Sequence, residues 1–139
     1  MKLEAYIDGG SRGNPGEAGA GVYLPGVAHI AEYLGVGTNN YAEYSALLIA
    51  LRFAVYTKCK ALKVMADSEL VVKQINGEYK VKNEGIQVLH AAAMRWIALV
   101  PEFSIHHVYR EDNKEADKLA NKAMDTRRNS VVFDQIELL

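Results

Sequence analysis

The sequence has almost no cysteine and almost no net charge, and each shortage excludes a class of protein. Cys59 is the only cysteine among 139 residues, so a disulfide framework is excluded and a reducing, cytoplasmic location is expected. The formal net charge is −1, which argues against a basic coat that binds nucleic acids without specificity. No signal peptide is recognisable, and no apolar run approaches the length of a membrane span. We therefore expect a cytoplasmic protein that does not contact membranes.

Hydrophobic residues make up half of the chain, which at this length supports one domain with a sizeable core. Their spacing predicts the order βββ-α-β-α-α-β-α, with Asn39 or Asn40 capping the first helix. Strands joined by short turns pair antiparallel, and strands joined by helices pair parallel. The sequence therefore predicts an α/β fold with a mixed five-stranded sheet, its first three strands antiparallel and the later ones parallel, flanked by about four helices. We assign residues 1–125 to this domain and residues 126–139 to a C-terminal tail, apolar enough to dock on the domain or to pair with it.

Two carboxylates stand at the ends of predicted strands. Asp8 ends the first strand in "YIDGG", and Asp67 ends the fourth in "VMADS". Asp and Gly are ordinary turn residues, so each position taken alone is unremarkable. If the two strands are parallel, however, both side chains lie at the carboxyl edge of the sheet, where open α/β sheets bind ligands.

Two further carboxylates come from predicted helices. Glu43 shares a helix face with Leu47, Ala50, Leu51 and Ala54, so it heads the stripe that packs on the sheet. A charge in that position must be paired or bound to a cation. Asp117 lies at the edge of the apolar stripe of the last helix, where the helix macrodipole explains an acid equally well.

Four carboxylates from four elements are predicted to converge at one sheet edge. Their mutual repulsion makes such a cluster unstable without cations. Oxygen ligands favour Mg²⁺ or Mn²⁺ over zinc. Two such ions about 4 Å apart activate a water and stabilise the leaving oxygen of a phosphodiester. The loop after Asp8 begins at Gly9, and its glycines let the backbone approach a bulky ligand closely.

Four segments together resemble type 1 ribonuclease H over about residues 1–125. They are "DGGSRGNPG" from residue 8, "TNNYAEY" from residue 38, "ADSELVV" from residue 66 and "REDNKEADKLAN" from residue 110. The resemblance implies a ribonuclease H-like fold and an endonuclease that cuts the RNA strand of an RNA–DNA hybrid, leaving 5′-phosphate and 3′-hydroxyl ends. It implies two Mg²⁺ ions per site, with Mn²⁺ as a substitute. The implied metal-binding catalytic residues are Asp8, Glu43, Asp67 and Asp117.

The resemblance also implies contacts with the hybrid. Residues that match Asn14, Asn39 and Asn40 touch the minor groove in similar enzymes, and residues that match Thr38 and Asn83 hold a DNA phosphate. Amides suit this task, because telling RNA from DNA requires contact with the 2′-hydroxyl groups. Gly9 is included in the predicted substrate surface. Tyr79 is predicted either to stack on the DNA strand or to be a partly buried aromatic at a helix end.

The sequence departs from the family pattern before the last helix. Relatives place a flexible histidine in that loop, where this chain offers Arg110, Glu111 or Asp112. Arg110 is expected to end the fifth strand and to hold the scissile or product phosphate, because a guanidinium binds phosphate but is no base near neutral pH. His106 and His107 fall inside the strand and are expected to be structural.

Two other functions are kept open at this point. A DNA-strand transferase or junction resolvase of related fold shares the acidic cluster but does not need the minor-groove asparagines. A non-catalytic hybrid-binding module has no use for four convergent carboxylates. The predicted partner is an RNA–DNA hybrid duplex, and we expect a monomer without an obligate protein partner.

Overall fold

The computed structural model describes residues 1–134 as a mixed six-stranded sheet with helices on both faces. The strands are β1 (Lys2–Arg12), β2 (Gly16–Leu24), β3 (Ala28–Gly37), β4 (Ala61–Ala66), β5 (Glu102–His107) and β6 (Ser130–Phe133). The helices are α1 (Asn39–Tyr56), α2 (Glu69–Ile75), α3 (Glu84–Ile97) and α4 (Lys114–Thr126), and a short 3₁₀ helix (Arg110–Asp112) precedes α4. None of the helices in this part of the chain is long and apolar enough to cross a membrane.

The strands lie in the order β5-β4-β1-β2-β3-β6. The pairs β1–β2 and β2–β3 are antiparallel, whereas β1–β4 and β4–β5 are parallel. The predicted fold class and strand directions are thus confirmed, but the predicted count of five strands is one too low. The additional strand β6 pairs with the outer edge of β3. It belongs to the segment assigned to a tail, and residues 135–139 of that segment lie outside the described residues.

The register of the parallel pair β1–β4 sets the position of the strand-end carboxylates. Ile7 is directly opposite Ala66, the last pair of this ladder, so the next residues, Asp8 and Asp67, lie side by side where the parallel pairing stops. The prediction that the first strand ends at Asp8 is wrong, because β1 continues to Arg12 through its pairing with β2. Alternate residues of β1, Leu3, Ala5 and Ile7, are buried, as expected for a strand with one face on the core. Two acidic residues therefore meet at one edge because a helical crossover makes their strands parallel.

Helix α1 packs on one face of the sheet at very short range. The predicted stripe of Glu43, Leu47, Ala50, Leu51 and Ala54 is buried throughout. A Cβ atom placed on Gly9 would lie 2.2 Å from the carbonyl carbon of Ala42, so this approach requires a glycine in β1. The absence of a side chain at Gly9 is thus required by the close packing of α1. The sequence had suggested a different reason, the close approach of a bulky ligand to the backbone.

Helix α4 packs on the opposite face, above two glycines of β2. A Cβ atom on Gly21 would lie 2.2 Å from the carbonyl oxygen of Ala116, and one on Gly19 would lie 2.6 Å from that of Ala120. The backbone of α4 therefore rests almost directly on the strand. This close contact brings Asp117, in the first turn of α4, to the edge that carries Asp8.

Candidate active site

The carboxylates of Asp8, Glu43 and Asp67 form one cluster. Each offers an oxygen, and these oxygens all lie within 4.8 Å of one another. Asp8 comes from β1, Asp67 follows β4, and Glu43 reaches the cluster from the first turn of α1. The predicted convergence of these three side chains is therefore seen in the structure.

Burial and repulsion raise the pKa values of two members of this cluster, Asp8 and Glu43. The pKa of Asp8 rises to about 7, first through burial, then through the charge of Asp67 and the nearby Asp117 carboxyl, with Glu43 partly opposing the change. The pKa of Glu43 lies well above its usual range, again first through burial and then through the charges of Asp8 and Asp67. The protein alone therefore does not stabilise three negative charges here.

The cluster fits a divalent cation bound through oxygen. Oε2 of Glu43 is buried and has no hydrogen-bond partner among the described residues. A buried carboxylate oxygen in that condition is costly unless a cation balances it. Carboxylates are the ligands that Mg²⁺ and Mn²⁺ prefer, and the cluster contains neither cysteine nor histidine.

Asp117 lies beside the cluster of three. It lines the same cleft, of about 440 Å³, as the other three carboxylates, and its carboxyl raises the pKa of Asp8. The amide of Asn121, one turn further along α4, donates to the Asp117 backbone carbonyl (3.0 Å) and to its Oδ1 (3.3 Å). Asp117 is thus close enough to join a shared cation site while being held by its own helix.

Arg110 also lines the cleft of the carboxylates. The prediction that it ends the fifth strand is wrong, because β5 ends at His107 and Arg110 begins the 3₁₀ helix. The 3₁₀ turn places Arg110 at the cleft, where Arg110 and Arg12 are the two cationic residues among those that line it. His106 and His107 are exposed on β5 and do not line that cleft.

Two asparagines connect the end of β1 and the loop that follows it with the start of α1. Oδ1 of Asn14 accepts from the Asn39 backbone N–H (3.1 Å), and Oδ1 of Asn39 accepts from the Ser11 backbone N–H (2.8 Å). These bonds orient the two amides and leave their NH₂ groups as donors for a ligand. Asn40 follows on the helix and, like Asn39, lines the cleft of the carboxylates.

A second depression adjoins the cleft, where the N-termini of α1 and α3 meet. Thr38 caps α1, its Oγ1 accepting from the Tyr41 N–H (3.1 Å), so the predicted cap at Asn39 or Asn40 is wrong. Asn83 caps α3, its Oδ1 accepting from the Ile86 N–H (3.0 Å). Both caps line this depression. Two helix N-termini directed at one place favour an anion.

Tyr79 lines a third depression, which includes Asn40 and Asn83. Its ring is 48% exposed. The Lys73 ammonium lies 4.9 Å from the ring centroid and donates to the hydroxyl group at 3.3 Å. Because neighbouring depressions share Asn40, they form a continuous surface that leads from the carboxylates to Tyr79.

Two asparagines of the site, Asn113 and Asn121, were not predicted from the sequence. Both occur in the quoted motif "REDNKEADKLAN", but the first stands where a helix cap is expected and the second within an ordinary helical pattern. Asn113 is buried to 1% exposure, and its amide donates to Asp67 at 3.3 Å. The only signal in the sequence was a polar residue, Asn113, at the start of a helix. Because such a residue usually caps its helix, the sequence offered no reason to expect its contact with Asp67.

The sheet topology and the acidic edge place the protein in the ribonuclease H-like fold class. Residues 7–123 match the family model described as reverse transcriptase-like. The chain is 38% identical to ribonuclease HI of Halobacterium salinarum, over 89% of this chain and 65% of that protein. It is 31% identical to a ribonuclease H of Pseudomonas entomophila, over 91% of this chain and 95% of that protein.

Solved structures agree with these sequence matches. The crystal structure of RNase H1 from Halobacterium salinarum superposes with a TM-score of 0.87 at 37% identity, covering 91% of this chain and 99% of that one. LC11-RNase H1 in complex with an RNA/DNA hybrid superposes with a TM-score of 0.85 at 38% identity, over the same shares of the two chains. The chain belongs to the type 1 ribonuclease H family. It spans 38% of the length of the mycobacterial relatives it matches and 65% of the archaeal one.

Proposed function

We propose that this protein is an endoribonuclease that hydrolyses the RNA strand of RNA–DNA hybrids with the help of two divalent metal ions. The observation that carries the proposal is the cluster of Asp8, Glu43 and Asp67, with oxygens within 4.8 Å of one another and a buried Glu43 oxygen that lacks a partner. The family relationship supports the same activity. LC11-RNase H1, a relative of the same fold, is described in complex with an RNA/DNA hybrid, which supports that substrate here.

The four carboxylates would hold the ions, with Mg²⁺ as the expected metal and Mn²⁺ as a substitute. Bound there, the ions supply an activated water and neutralise charge on the phosphate. Asp8 lies on β1 and Asp67 directly follows the neighbouring parallel strand β4, so the sheet sets their spacing. Glu43 and Asp117 approach from opposite faces on rigid helices. The water oxygen bonds to phosphorus as the bond to O3′ breaks, and O3′ takes up a proton, which leaves 5′-phosphate and 3′-hydroxyl ends.

Recognition of RNA is assigned to the amides of Asn14, Asn39 and Asn40. The NH₂ groups of Asn14 and Asn39 are oriented by the bonds that their oxygens accept. They are donors for 2′-hydroxyl oxygens in the wide minor groove of a hybrid. Gly9 lines the same cleft as Asn39, Asn40 and the carboxylates, and the RNA strand would lie across it.

The DNA strand is assigned to the depression between the two helix N-termini. Thr38 retains its hydroxyl proton and Asn83 its amide protons, because each caps its helix as an acceptor. These donors and the two helix dipoles suit a phosphate group. Tyr79 extends the same surface and is proposed to pack against the DNA strand.

The first prediction tests the choice of substrate. With Mg²⁺, the protein should cleave the RNA strand of a hybrid, whereas a DNA duplex of the same sequence should remain intact, because DNA offers no 2′-hydroxyl groups to the three amides. The measurement compares end-labelled hybrid, RNA duplex and DNA duplex on denaturing gels, with Mg²⁺ and with EDTA. Product ends are identified by sensitivity to phosphatase and by polymerase extension.

Each alternative function gives a different result in this experiment. Cleavage of the DNA duplex at a rate comparable to that of the hybrid would indicate a strand transferase or resolvase. Tight binding of the hybrid with no cleavage in either Mg²⁺ or Mn²⁺ would indicate a binding module. Cleavage confined to the RNA strand of the hybrid, and abolished by EDTA, supports the proposal against both.

The second prediction concerns Arg110, which we propose holds the scissile or product phosphate. Arg110→Ala should lower kcat by roughly ten-fold to a hundred-fold, the loss expected for one charge-assisted phosphate contact. Steady-state cleavage of the hybrid at saturating Mg²⁺ measures this. His106→Ala and His107→Ala are the controls and should retain near-normal activity, since both residues lie outside the cleft. The assignment is wrong if Arg110→Ala is silent while either histidine variant, still folded, is inactive.

We propose that the protein acts in the cytoplasm as a monomer without an obligate protein partner. The division into a catalytic domain of residues 1–125 and a C-terminal segment of residues 126–139 also remains a proposal. The pairing of β6 with β3 supports a segment docked on the domain.

A further inference from the structure

Asn113 occupies the N-cap position of α4, but its side chain does not cap the helix. No hydrogen bond joins the side chain to the first turn of α4. The amide instead reaches back to the sheet edge, where Nδ2 donates to the Ile7 backbone carbonyl at 2.8 Å and to Oδ2 of Asp67 at 3.3 Å. Asparagine is among the best N-cap residues, and loss of a cap destabilises a helix. The helix therefore gives up a stabilising contact for a bond at the carboxylate cluster.

The orientation of this amide is determined by its partners. A backbone carbonyl and an ionised carboxylate are both acceptors, so only the NH₂ group of Asn113 can face them. The amide oxygen is consequently turned away, and it is buried without a hydrogen-bond partner among the described residues. Exposure of the residue is only 1%. Asn113 thus has two unfavourable features, an unused cap and an unpaired oxygen, and both accompany its bonds to Ile7 and Asp67.

We propose that Asn113 is a positioning residue that fixes the Asp67 carboxylate for metal binding; this inference rests on the proposed function. Ile7 directly precedes Asp8, so the two bonds of one amide tie Asp67 to the backbone that carries Asp8. Asp67 follows the last residue of β4, where its side chain is otherwise free to change rotamer. The bond occupies Oδ2 and would leave Oδ1 available to hold a cation. Partners of this kind orient metal ligands, and their loss typically weakens metal binding or activity by 10-fold to 100-fold.

The decisive variant is Asn113→Ser. Serine is also a good N-cap, so the variant loses the amide donor but gains the means to cap α4. We expect the thermal midpoint in EDTA to be unchanged or higher, while the Kd for Mg²⁺ measured by calorimetry without nucleic acid rises by about ten-fold to a hundred-fold. The KM for the hybrid at saturating Mg²⁺ should stay unchanged. A residue that matters only for folding would lower the thermal midpoint and leave the Mg²⁺ affinity unchanged.

Asn76→Ser is the matched control, because its amide also donates to a backbone carbonyl, that of Ile105 at 3.3 Å, outside the cleft. Its Mg²⁺ affinity should equal that of the unmodified protein. In an Asp67→Asn background, adding Asn113→Ser should cause no further loss of Mg²⁺ affinity, because the residue through which Asn113 acts is already changed. Asn113→Thr, a second capping substitution, serves the same purpose if the serine variant does not fold.

The outcomes separate this inference from the function on which it rests. Unchanged Mg²⁺ affinity in both Asn113 variants, in a protein that binds Mg²⁺ and cleaves the hybrid, overturns the role of Asn113 and leaves the proposed function intact. Equal losses from Asn113→Ser with and without Asp67→Asn also overturn it. An unmodified protein that neither binds Mg²⁺ nor cleaves the hybrid overturns the proposed function itself.

Discussion

Asp8→Asn is expected to fold normally and to lose activity on the hybrid by on the order of 10³-fold or more. Asp8 lies at the centre of the cluster, with oxygens of Glu43 and Asp67 within 4.8 Å, and removal of its charge takes away several kcal/mol of charge stabilisation in a metal-assisted reaction. Glu43→Gln and Asp67→Asn should have effects of the same order. The measurement is kcat at saturating Mg²⁺ and hybrid, with circular dichroism to establish the fold.

The same substitution should stabilise the metal-free protein near neutral pH. Folding raises the pKa of Asp8 from 3.8 to about 7, so between about pH 4 and pH 7 the folded state holds a proton that the unfolded chain has released. The free energy of unfolding therefore falls as pH rises through this range. Asp8→Asn removes that penalty, and in EDTA its thermal midpoint should exceed that of the unmodified protein by about 5 °C at pH 7.5. Near pH 4 the two proteins should differ little.

Asp112→Asn is the control for the loss of one negative charge, because Asp112 is exposed and does not line the cleft. It should leave both kcat and the pH dependence of stability unchanged. Activity of Asp8→Asn close to that of the unmodified protein would exclude a catalytic role for the cluster. If the difference in midpoint between Asp8→Asn and the unmodified protein in EDTA did not grow from pH 4 to pH 7, Asp8 would not be destabilised by its surroundings.

Gly9→Ala is expected to destabilise the fold by displacing α1 from β1. The new Cβ atom would lie 2.2 Å from the Ala42 carbonyl carbon and 2.5 Å from the Glu43 backbone nitrogen, so α1 has to move away from β1. Overpacking of this kind costs about 1–3 kcal/mol or more. Because Glu43 moves with its helix, kcat and Mg²⁺ affinity should fall along with stability. Urea denaturation and calorimetric titration with Mg²⁺ measure the two effects.

The neighbouring Gly10→Ala is the matched control. Its Cβ atom would meet no atom closer than the Met124 Cε, at 3.9 Å, so it should be tolerated with little change in stability or Mg²⁺ affinity. A Gly9→Ala variant that is as stable and as active as Gly10→Ala would show that the contact between α1 and β1 does not position Glu43.

Much of the site was predictable because its signals are local or periodic. The apolar run of β4 placed Asp67 directly after a strand, as the structure has it. The same interpretation was wrong for Asp8, since β1 continues to Arg12, but the parallel pairing with β4 does stop beside it. Helical spacing placed Glu43 on the buried face of α1, and the structure brings all three together. Parallel pairing follows from helical crossovers, so the sequence was sufficient to predict that Asp8 and Asp67 share one edge of the sheet. The strand Ser130–Phe133 was assigned to a tail that could dock or pair, because a short run of four residues does not by itself indicate a strand. Its pairing depends on the free edge of β3, which is known only from the fold.

The order of the elements, the fold class and the acidic edge of the sheet could be inferred from the amino-acid sequence alone. Three contacts could not: the cap of α1 by Thr38, the room that Gly9 leaves for Ala42, and the bond from Asn113 to Asp67 in place of a cap on its own helix. These contacts depend on ångström-scale packing between distant segments, which no local pattern in the sequence encodes. The Asn113 amide meets residues 46 and 106 positions away in the chain. A helix start favours asparagine for capping, and only the fold supplies the competing acceptors that direct its amide elsewhere.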